Sequence, residues 1–420
     1  LISLIGALAS QPVAPMSLQH VLTSSTPGEK AFLMTNQAIA RAAIEAGVRV
    51  AAGYPGTPTS EVIESLGLVA DVHEMHVEWA VNEKVALEAT AAAAIVGVRS
   101  MAVMKQVGVN VAADSLMVIN LSGVNAGMVI VVGDDPGAWV SQNEQDTRPY
   151  AVMANLPMFE ISNPQEGLRM TRLAFDVSER IKLPVLVRTT TKVSHSSGVV
   201  ELGAILKPSN KINCERDIER YYLGDVTAQR RHEWQRGQMR ALPKLLSSLK
   251  MNPLSIKKGQ KLAVVASGGA YNYAADAIRD LGLEDRVATL KVETAHPLPE
   301  DKMKTLLQRT KRVLVIEELD SFMESHLREL AYELPDKRSA EVHGRRTGAV
   351  PEVTELNYEI VSSSLSGLAG IHVTRDRAET PIRTEIAKAV PPRGWTLCAG
   401  CPHMGTFYAL KMLAKKTTQK

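Results

Sequence analysis

Between residues 33 and 193 the chain alternates two kinds of segment, and this alternation restricts the folds open to it. Helical patterns such as "TNQAIARAAIEAG", "VNEKVALEATAAAAIVG" and "PQEGLRMTRLAFDVSERIK" are interleaved with the short apolar runs "VRVAAGYP", "VRSMAVM", "AGMVIVVGDD" and "LPVLVRTTT". Apolar runs closed by Gly or Pro and separated by helices mark strands buried on both faces of a parallel sheet. The expected fold class is α/β. A second α/β unit opens at "KLAVVASGGAYNYAADAIRDLGL" and continues through "VATLKVETAHPLP" and "KRVLVIEELD". The expected organisation is a disordered or non-native tail at 1–29, a doubly wound domain at 30–205, an exposed polar helical linker at 206–258, a second α/β domain at 259–385, and the start of an incomplete domain at 390–420.

Composition removes several classes of function. A net charge of +3 and an aromatic content of 4% supply neither the field nor the stacking surface of a nucleic-acid binder. No apolar run approaches the ~18 residues of a membrane span, and "LISLIGALASQPVA" has no basic flank in front of it. Three cysteines in 420 residues are too few for a disulfide framework, which points to a reducing cytoplasm.

Chemistry can be sought at four places. In a helix beginning near Asn82, Glu83 shares a face with Ala86, Leu87, Thr90, Ala91, Ala94 and Gly97, whereas Glu88 lies beside Lys84. Glu83 is thus a carboxylate at the head of a tightly packed stripe, either a functional acid or a group placed there by the helix dipole. "YPGTP" follows an apolar run, so Tyr54, Pro55 and Gly56 form a stiff turn that holds the Thr57 hydroxyl toward the crevice where open α/β sheets bind ligands. Arg148, in the polar "SQNEQDTRPY", can clamp a carboxylate bidentately or serve as a surface arginine. Cys398 and Cys401 form a CxxC that suits zinc or an iron-sulfur cluster, with His403 as a possible helper. Two glycine-bearing loops read as ordinary structure: "ASGGAY" as a tight turn and not a phosphate cradle, and "HGRRTGAVPEV" as a solvated surface loop.

Taken together, "AAGYPGTPTSE", "NEKVALEATAAAAIVGVRSMAVMKQVGVNVAADSLM", "VVGDDPGAWVSQNEQDTRPYAVMANLPMFE", "PVLVRTTTKVSH" and "LCAGCPHMGTFYAL" resemble the indolepyruvate ferredoxin oxidoreductase alpha subunits, a branch of the thiamine-diphosphate-dependent 2-oxoacid:acceptor oxidoreductases. The resemblance implies that residues 30–205 bind the aminopyrimidine ring of thiamine diphosphate, with Glu83 bonded to the ring and Tyr54, Pro55, Gly56 and Gly108 around the cofactor. It implies that Thr57 lies beside the substrate, that Arg148 receives the 2-oxoacid carboxylate, and that the segment from 259 is a transketolase C-terminal-like domain. Cys398 and Cys401 fall where the superfamily holds a 4Fe-4S cluster. The implied reaction is oxidative decarboxylation of an arylpyruvate to an aryl-acetyl-CoA. Its implied partners are a second subunit, ferredoxin and coenzyme A, in a cytoplasmic hetero-oligomer.

The sequence departs from the family after "CPHMGTF", where a GDG-type magnesium motif and a cysteine-rich ferredoxin-like segment are missing. "GDD" at Gly133, with Asn163 downstream, imitates that motif but has Asp in place of its second glycine. The chain is therefore expected to be a fragment or one part of a split subunit, inactive alone. Two other readings stand beside this one: a subunit acting on a different 2-oxoacid, and a non-catalytic assembly subunit whose CxxC holds zinc.

Overall fold

The apolar runs form strands because each is buried along its length and hydrogen-bonds to neighbours on both sides. A computed structural model describes residues 17–207, 212–214, 217–222, 224–334, 340–371, 384–386, 388–391, 397, 401 and 403–418. Its strands are β1 (Lys30–Met34), β2 (Val50–Gly53), β3 (His76–Trp79), β4 (Ser100–Lys105), β5 (Met128–Asp134), β6 (Met158–Glu160), β7 (Val185–Thr190), β8 (Ser197–Glu201), β9 (Leu254–Ser255), β10 (Leu262–Ser267), β11 (Val287–Val292), β12 (Thr294–His296), β13 (Arg312–Ile316) and β14 (Glu341–His343). The first sheet has the order β12-β6-β7-β5-β4-β2-β3 and the second β14-β13-β10-β11-β9, while β1 and β8 form a separate antiparallel pair. Within the first sheet every pairing from β6 to β3 is parallel, and all of β5 and β7 is buried.

Helices Thr35–Glu45, Ser60–Gly67 and Pro164–Ile181 pack together, and Glu83–Ile95, Gln106–Ser122 and Asp225–Ser248 form a second group. The helices that follow neighbouring strands β2 and β4 belong to different groups. The chain therefore leaves these two strands toward opposite faces, opening a crevice beyond their C-terminal ends. The second sheet is likewise covered on both faces, by separate apolar clusters around Leu262, Val264 and Ile316 and around Val265, Leu290 and Val315.

Three organisational expectations change. Residues 18–23, assigned above to a disordered tail, form a helix whose Val21 and Leu22 are buried, and residues 1–16 lie outside the described residues. The polar region 206–258 is more than an exposed linker, because helix Asp225–Ser248 buries Gln235, Met239, Leu242 and Leu246 and joins the core of the first sheet. The two α/β domains also interlock, since β12 leaves the second half of the chain to pair antiparallel with β6 at the edge of the first sheet. They lie in a single unit, Leu1–Ile371. The second unit, His372–Lys420, contains helix His403–Thr418. No helix among the described residues is long and apolar enough to cross a membrane.

Several charged side chains are buried among the described residues. Glu318 is one of them: burial pushes its carboxyl from the ordinary 4.5 up to about 7, against the opposing effects of the Leu356 N–H and Arg345. A folded-state pKa above the unfolded one means that the folded chain holds the proton more tightly. The resulting stabilisation is complete below about pH 4.5 and is lost as pH rises toward 7. Glu318→Gln cannot lose a proton. In thermal melts from pH 5 to pH 8 its stability relative to wild type should rise with pH by about 1–3 kcal/mol; a difference independent of pH would remove Glu318 from this account.

Candidate active site

Three strand ends build the crevice. β2 ends at Gly53, where a Cβ would lie 2.9 Å from both the Val103 carbonyl oxygen and Ile63 Cγ1, so only glycine lets β2 and β4 approach this closely. The turn Tyr54–Pro58 follows. The Gly56 N–H donates to Ser60 Oγ at 2.9 Å, and Asn36 Nδ2 donates to the Pro58 carbonyl at 2.6 Å and to Glu61 Oε2 at 2.8 Å. Tyr54 and Pro55 are exposed, while Thr57 is half-buried with no hydrogen bond from its hydroxyl to any described residue.

β3 leads into helix Glu83–Ile95, whose start is fixed by Asn82 accepting the Val85 N–H at 3.0 Å. The stripe predicted from spacing is buried at Ala86, Leu87, Thr90, Ala91 and Ala94. Glu83 heads it at 7% exposure, and its carboxyl group forms no hydrogen bond or ion pair with any described residue. Glu88 turns the other way, accepting from Ser115 Oγ at 2.6 Å, and lies 3.8 Å from Lys84. Lys84 itself is bonded more closely to Asp114, at 2.7 Å.

β4 ends at Lys105 and runs directly into helix Gln106–Ser122. Gly108, in its first turn, lies against Glu83: a Cβ there would come within 2.6 Å of Glu83 Cγ and Oε1. Any larger residue would displace the carboxyl. A buried acid without a protein partner costs free energy unless something else completes it. Its helix begins just beyond the C-terminal end of β3, the end of the sheet at which open α/β folds bind ligands.

Arg148 departs from both readings made from the sequence. It is neither a surface arginine nor available to a substrate, being fully buried with its donors occupied. Nε donates to both Asp146 carboxylate oxygens at 3.0 Å and Nη1 to Glu317 Oε2 at 2.6 Å. Nη2 reaches Asp146 Oδ2 at 2.5 Å and the carbonyls of Glu318 and Asp320 at 2.8 and 3.0 Å. The guanidinium also stacks over Phe322, 5.0 Å from the ring centroid. Arg148 therefore ties the first sheet's domain to the loop after β13.

The remaining motifs resolve into structure. In "GDD", Asp134 accepts from Arg188 and Thr147, Asp135 accepts from Ser141 and Thr191, and Asn163 caps helix Pro164–Ile181. The glycine pair of "ASGGAY" is closed by a protein carboxylate, since a Cβ on Gly268 would lie 2.5 Å from Glu160 Oε1. In "HGRRTGAVPEV", Arg346 is exposed, but Arg345 is buried and donates to the carbonyls of Glu317, Pro351 and Glu352, so the loop is anchored and not merely solvated. Cys401 Sγ lies 3.3 Å from His403 Nδ1, and Cys398 lies outside the described residues. Among the described residues no three His, Cys, Asp or Glu side chains are arranged to hold a metal ion.

Comparison with known proteins places this geometry. Residues 41–229 match the family "Pyruvate flavodoxin/ferredoxin oxidoreductase, thiamine diP-bdg", and residues 254–376 match "Indolepyruvate ferredoxin oxidoreductase middle domain". The indolepyruvate oxidoreductase subunit IorA of Methanothermobacter thermautotrophicus is 42% identical over 400 residues, covering 95% of this chain and 63% of the relative. Its counterpart in Archaeoglobus fulgidus is 38% identical over 390 residues, covering 91% and 61%. The chain thus spans somewhat less than two thirds of the length of these relatives. Among solved structures, a 2-oxoglutarate:ferredoxin oxidoreductase from Magnetococcus marinus superposes with a TM-score of 0.66 at 13% identity, over 80% of this chain and 65% of that one. That likeness establishes a shared α/β fold.

Proposed function

The chain belongs to the indolepyruvate oxidoreductase IorA family of thiamine-diphosphate-dependent 2-oxoacid oxidoreductases, and from this we propose that it supplies the pyrimidine-side half of a site for oxidative decarboxylation of arylpyruvates. The observation that carries the reading is Glu83, a buried carboxyl with no hydrogen-bond or ion-pair partner among the described residues, pressed against Gly108 beyond the ends of β2 and β4. An aminopyrimidine ring suits it, because a ring nitrogen completes a carboxyl that the fold leaves open. Thiamine diphosphate, when bound, supplies the nucleophilic carbon and the electron sink that decarboxylation of a 2-oxoacid requires.

The chain's own residues then divide the work. Glu83 holds a proton between its carboxyl and the ring nitrogen, and the close packing at Gly108 keeps that carboxyl from swinging away. The turn at 54–58, held by the Gly56 N–H and Asn36 hydrogen bonds, presents to the substrate a Thr57 hydroxyl that bonds to no described residue, with Tyr54 and Pro55 forming the adjoining wall. Magnesium and a 4Fe-4S cluster belong to this reading as well, with Cys398 and Cys401 as two thiolate ligands and the remaining ligands supplied from outside the described residues. Electrons pass to ferredoxin and the acyl group to coenzyme A in a complex with a second subunit.

The test uses the complete subunit carrying this sequence, assembled with its partner and supplied with thiamine diphosphate, magnesium and coenzyme A. Indolepyruvate and phenylpyruvate should drive reduction of methyl viologen with higher kcat/KM than pyruvate or 2-oxoglutarate. Preference for a non-aromatic 2-oxoacid would replace the substrate assignment. Zinc in place of iron and acid-labile sulfide, together with no turnover of any 2-oxoacid, would replace the reading as a whole.

A further inference from the structure

With Arg148 committed elsewhere, the crevice still needs a cation for the substrate carboxylate. Among the described residues, the cations on the strands that converge there or on the segments that follow them include Lys84, Lys105, Arg148, Arg188 and Lys192. Four of them are already paired. Lys84 bonds Asp114 at 2.7 Å, Arg148 lies between Asp146 and Glu317, Arg188 is fully buried between Asp134 at 2.7 Å and Glu160 at 2.6 Å, and Lys192 bonds Glu355 at 3.0 Å. Lys105 forms no ion pair with any described residue. Its ammonium donates one long hydrogen bond, 3.3 Å, to the carbonyl of Val140.

Its position fits the need. Lys105 closes β4, and its aliphatic stem crosses the neighbouring turn, so that a Cβ on Gly56 would lie 2.9 Å from Lys105 Cδ. Thr57 is the next residue in that turn. Three residues after Lys105 comes Gly108, against which Glu83 is packed. The nearby Asp135 is not a waiting counter-ion, because its carboxylate accepts from the Val140 N–H at 2.9 Å, Ser141 Oγ at 2.8 Å and Thr191 Oγ1 at 2.8 Å.

We propose that Lys105 receives the carboxylate of the 2-oxoacid and sets its position against Thr57 and Glu83, the role that the sequence suggested for Arg148. The proposal rests on the reading given under Proposed function and deepens it. Burial works against the ammonium, holding Lys105 below the ordinary lysine range with Asp135 only partly offsetting it. An arriving carboxylate relieves that penalty and exchanges a long bond to a neutral carbonyl for a charge-assisted one.

The experiment compares wild type, Lys105→Met and Lys105→Arg in the complete assembled enzyme, with indolepyruvate, phenylpyruvate and pyruvate as substrates and viologen reduction as the readout. Lys105→Met, which keeps the length of the stem, should raise KM by about 10- to 100-fold and by a similar factor for every 2-oxoacid that wild type turns over, because all share the carboxylate. Affinity for thiamine diphosphate should stay within about threefold of wild type, and Lys105→Arg should recover most of the loss in KM. Should Lys105→Met fail to accumulate, Lys105→Gln takes its place. A KM within threefold of wild type in an active enzyme removes Lys105 and leaves the proposed reaction standing. If a non-aromatic 2-oxoacid proves preferred and its KM rises in Lys105→Met, the substrate assignment fails and Lys105 stands. A wild-type enzyme that turns over no 2-oxoacid overturns both.

Discussion

Glu83→Gln in the assembled enzyme should lower kcat/KM for arylpyruvates by about 100- to 10,000-fold while leaving the fold intact, the range expected when a positioned proton donor or acceptor is lost. Glutamine has the same shape as glutamate and can still hydrogen-bond the pyrimidine ring, so thiamine diphosphate should continue to bind. It cannot hold or release the proton. The expected retention of stability follows from the site itself: the Glu83 carboxyl hydrogen-bonds to no described residue, so an isosteric amide breaks no hydrogen bond or ion pair among them and keeps the packing against Gly108. Thermal melting within a few degrees of wild type would show that activity was lost through chemistry. Glu88→Gln is the matched control five residues along the same helix, where the side chain is half-exposed beside Lys84 and Ser115, and it should leave both turnover and melting unchanged. Near-normal turnover in Glu83→Gln would remove this residue from the mechanism.

What the chain disclosed in advance, and what it concealed, has a physical explanation. Strands such as Met128–Asp134 were legible because a strand buried on both faces must be an unbroken apolar run, and that pattern is local. The Glu83 stripe was legible for the same reason, since helix spacing alone places Ala86, Thr90 and Ala94 on its face. Helix Asp225–Ser248 carried a readable signal that its charge obscured: the buried Gln235, Met239, Leu242 and Leu246 are spaced four, three and four apart, one face of a helix. Lys105 stood at the end of a recognised strand, but nothing local distinguishes a lysine with a carboxylate partner from one without.

Arg148 was beyond such reading because its meaning depends on a residue 169 positions away. The structure shows that position as a strut, and Arg148→Met should accordingly cost about 3–5 kcal/mol of stability by leaving Asp146 and Glu317 buried without their cation. Glu317 keeps part of its support, since it also accepts the N–H groups of Met323 and Glu324 at 2.8 and 3.0 Å. Asp146 keeps the Arg148 backbone N–H at 2.9 Å and the more distant Arg188 at 3.9 Å. The double variant Arg148→Met/Glu317→Gln should therefore regain some of the lost stability by removing one of the two stranded charges. Melting temperature and resistance to proteolysis measure the loss, and KM separates a strut from a substrate clamp. In an assembled enzyme held well below its melting temperature, Arg148→Met should keep KM for arylpyruvate within a few-fold of wild type, while Lys105→Met raises it. The reverse pattern, with a stable Arg148→Met whose KM has risen tenfold or more, would return the carboxylate to Arg148 and require the domains to open in solution far enough to free a guanidinium that this structure holds on every side.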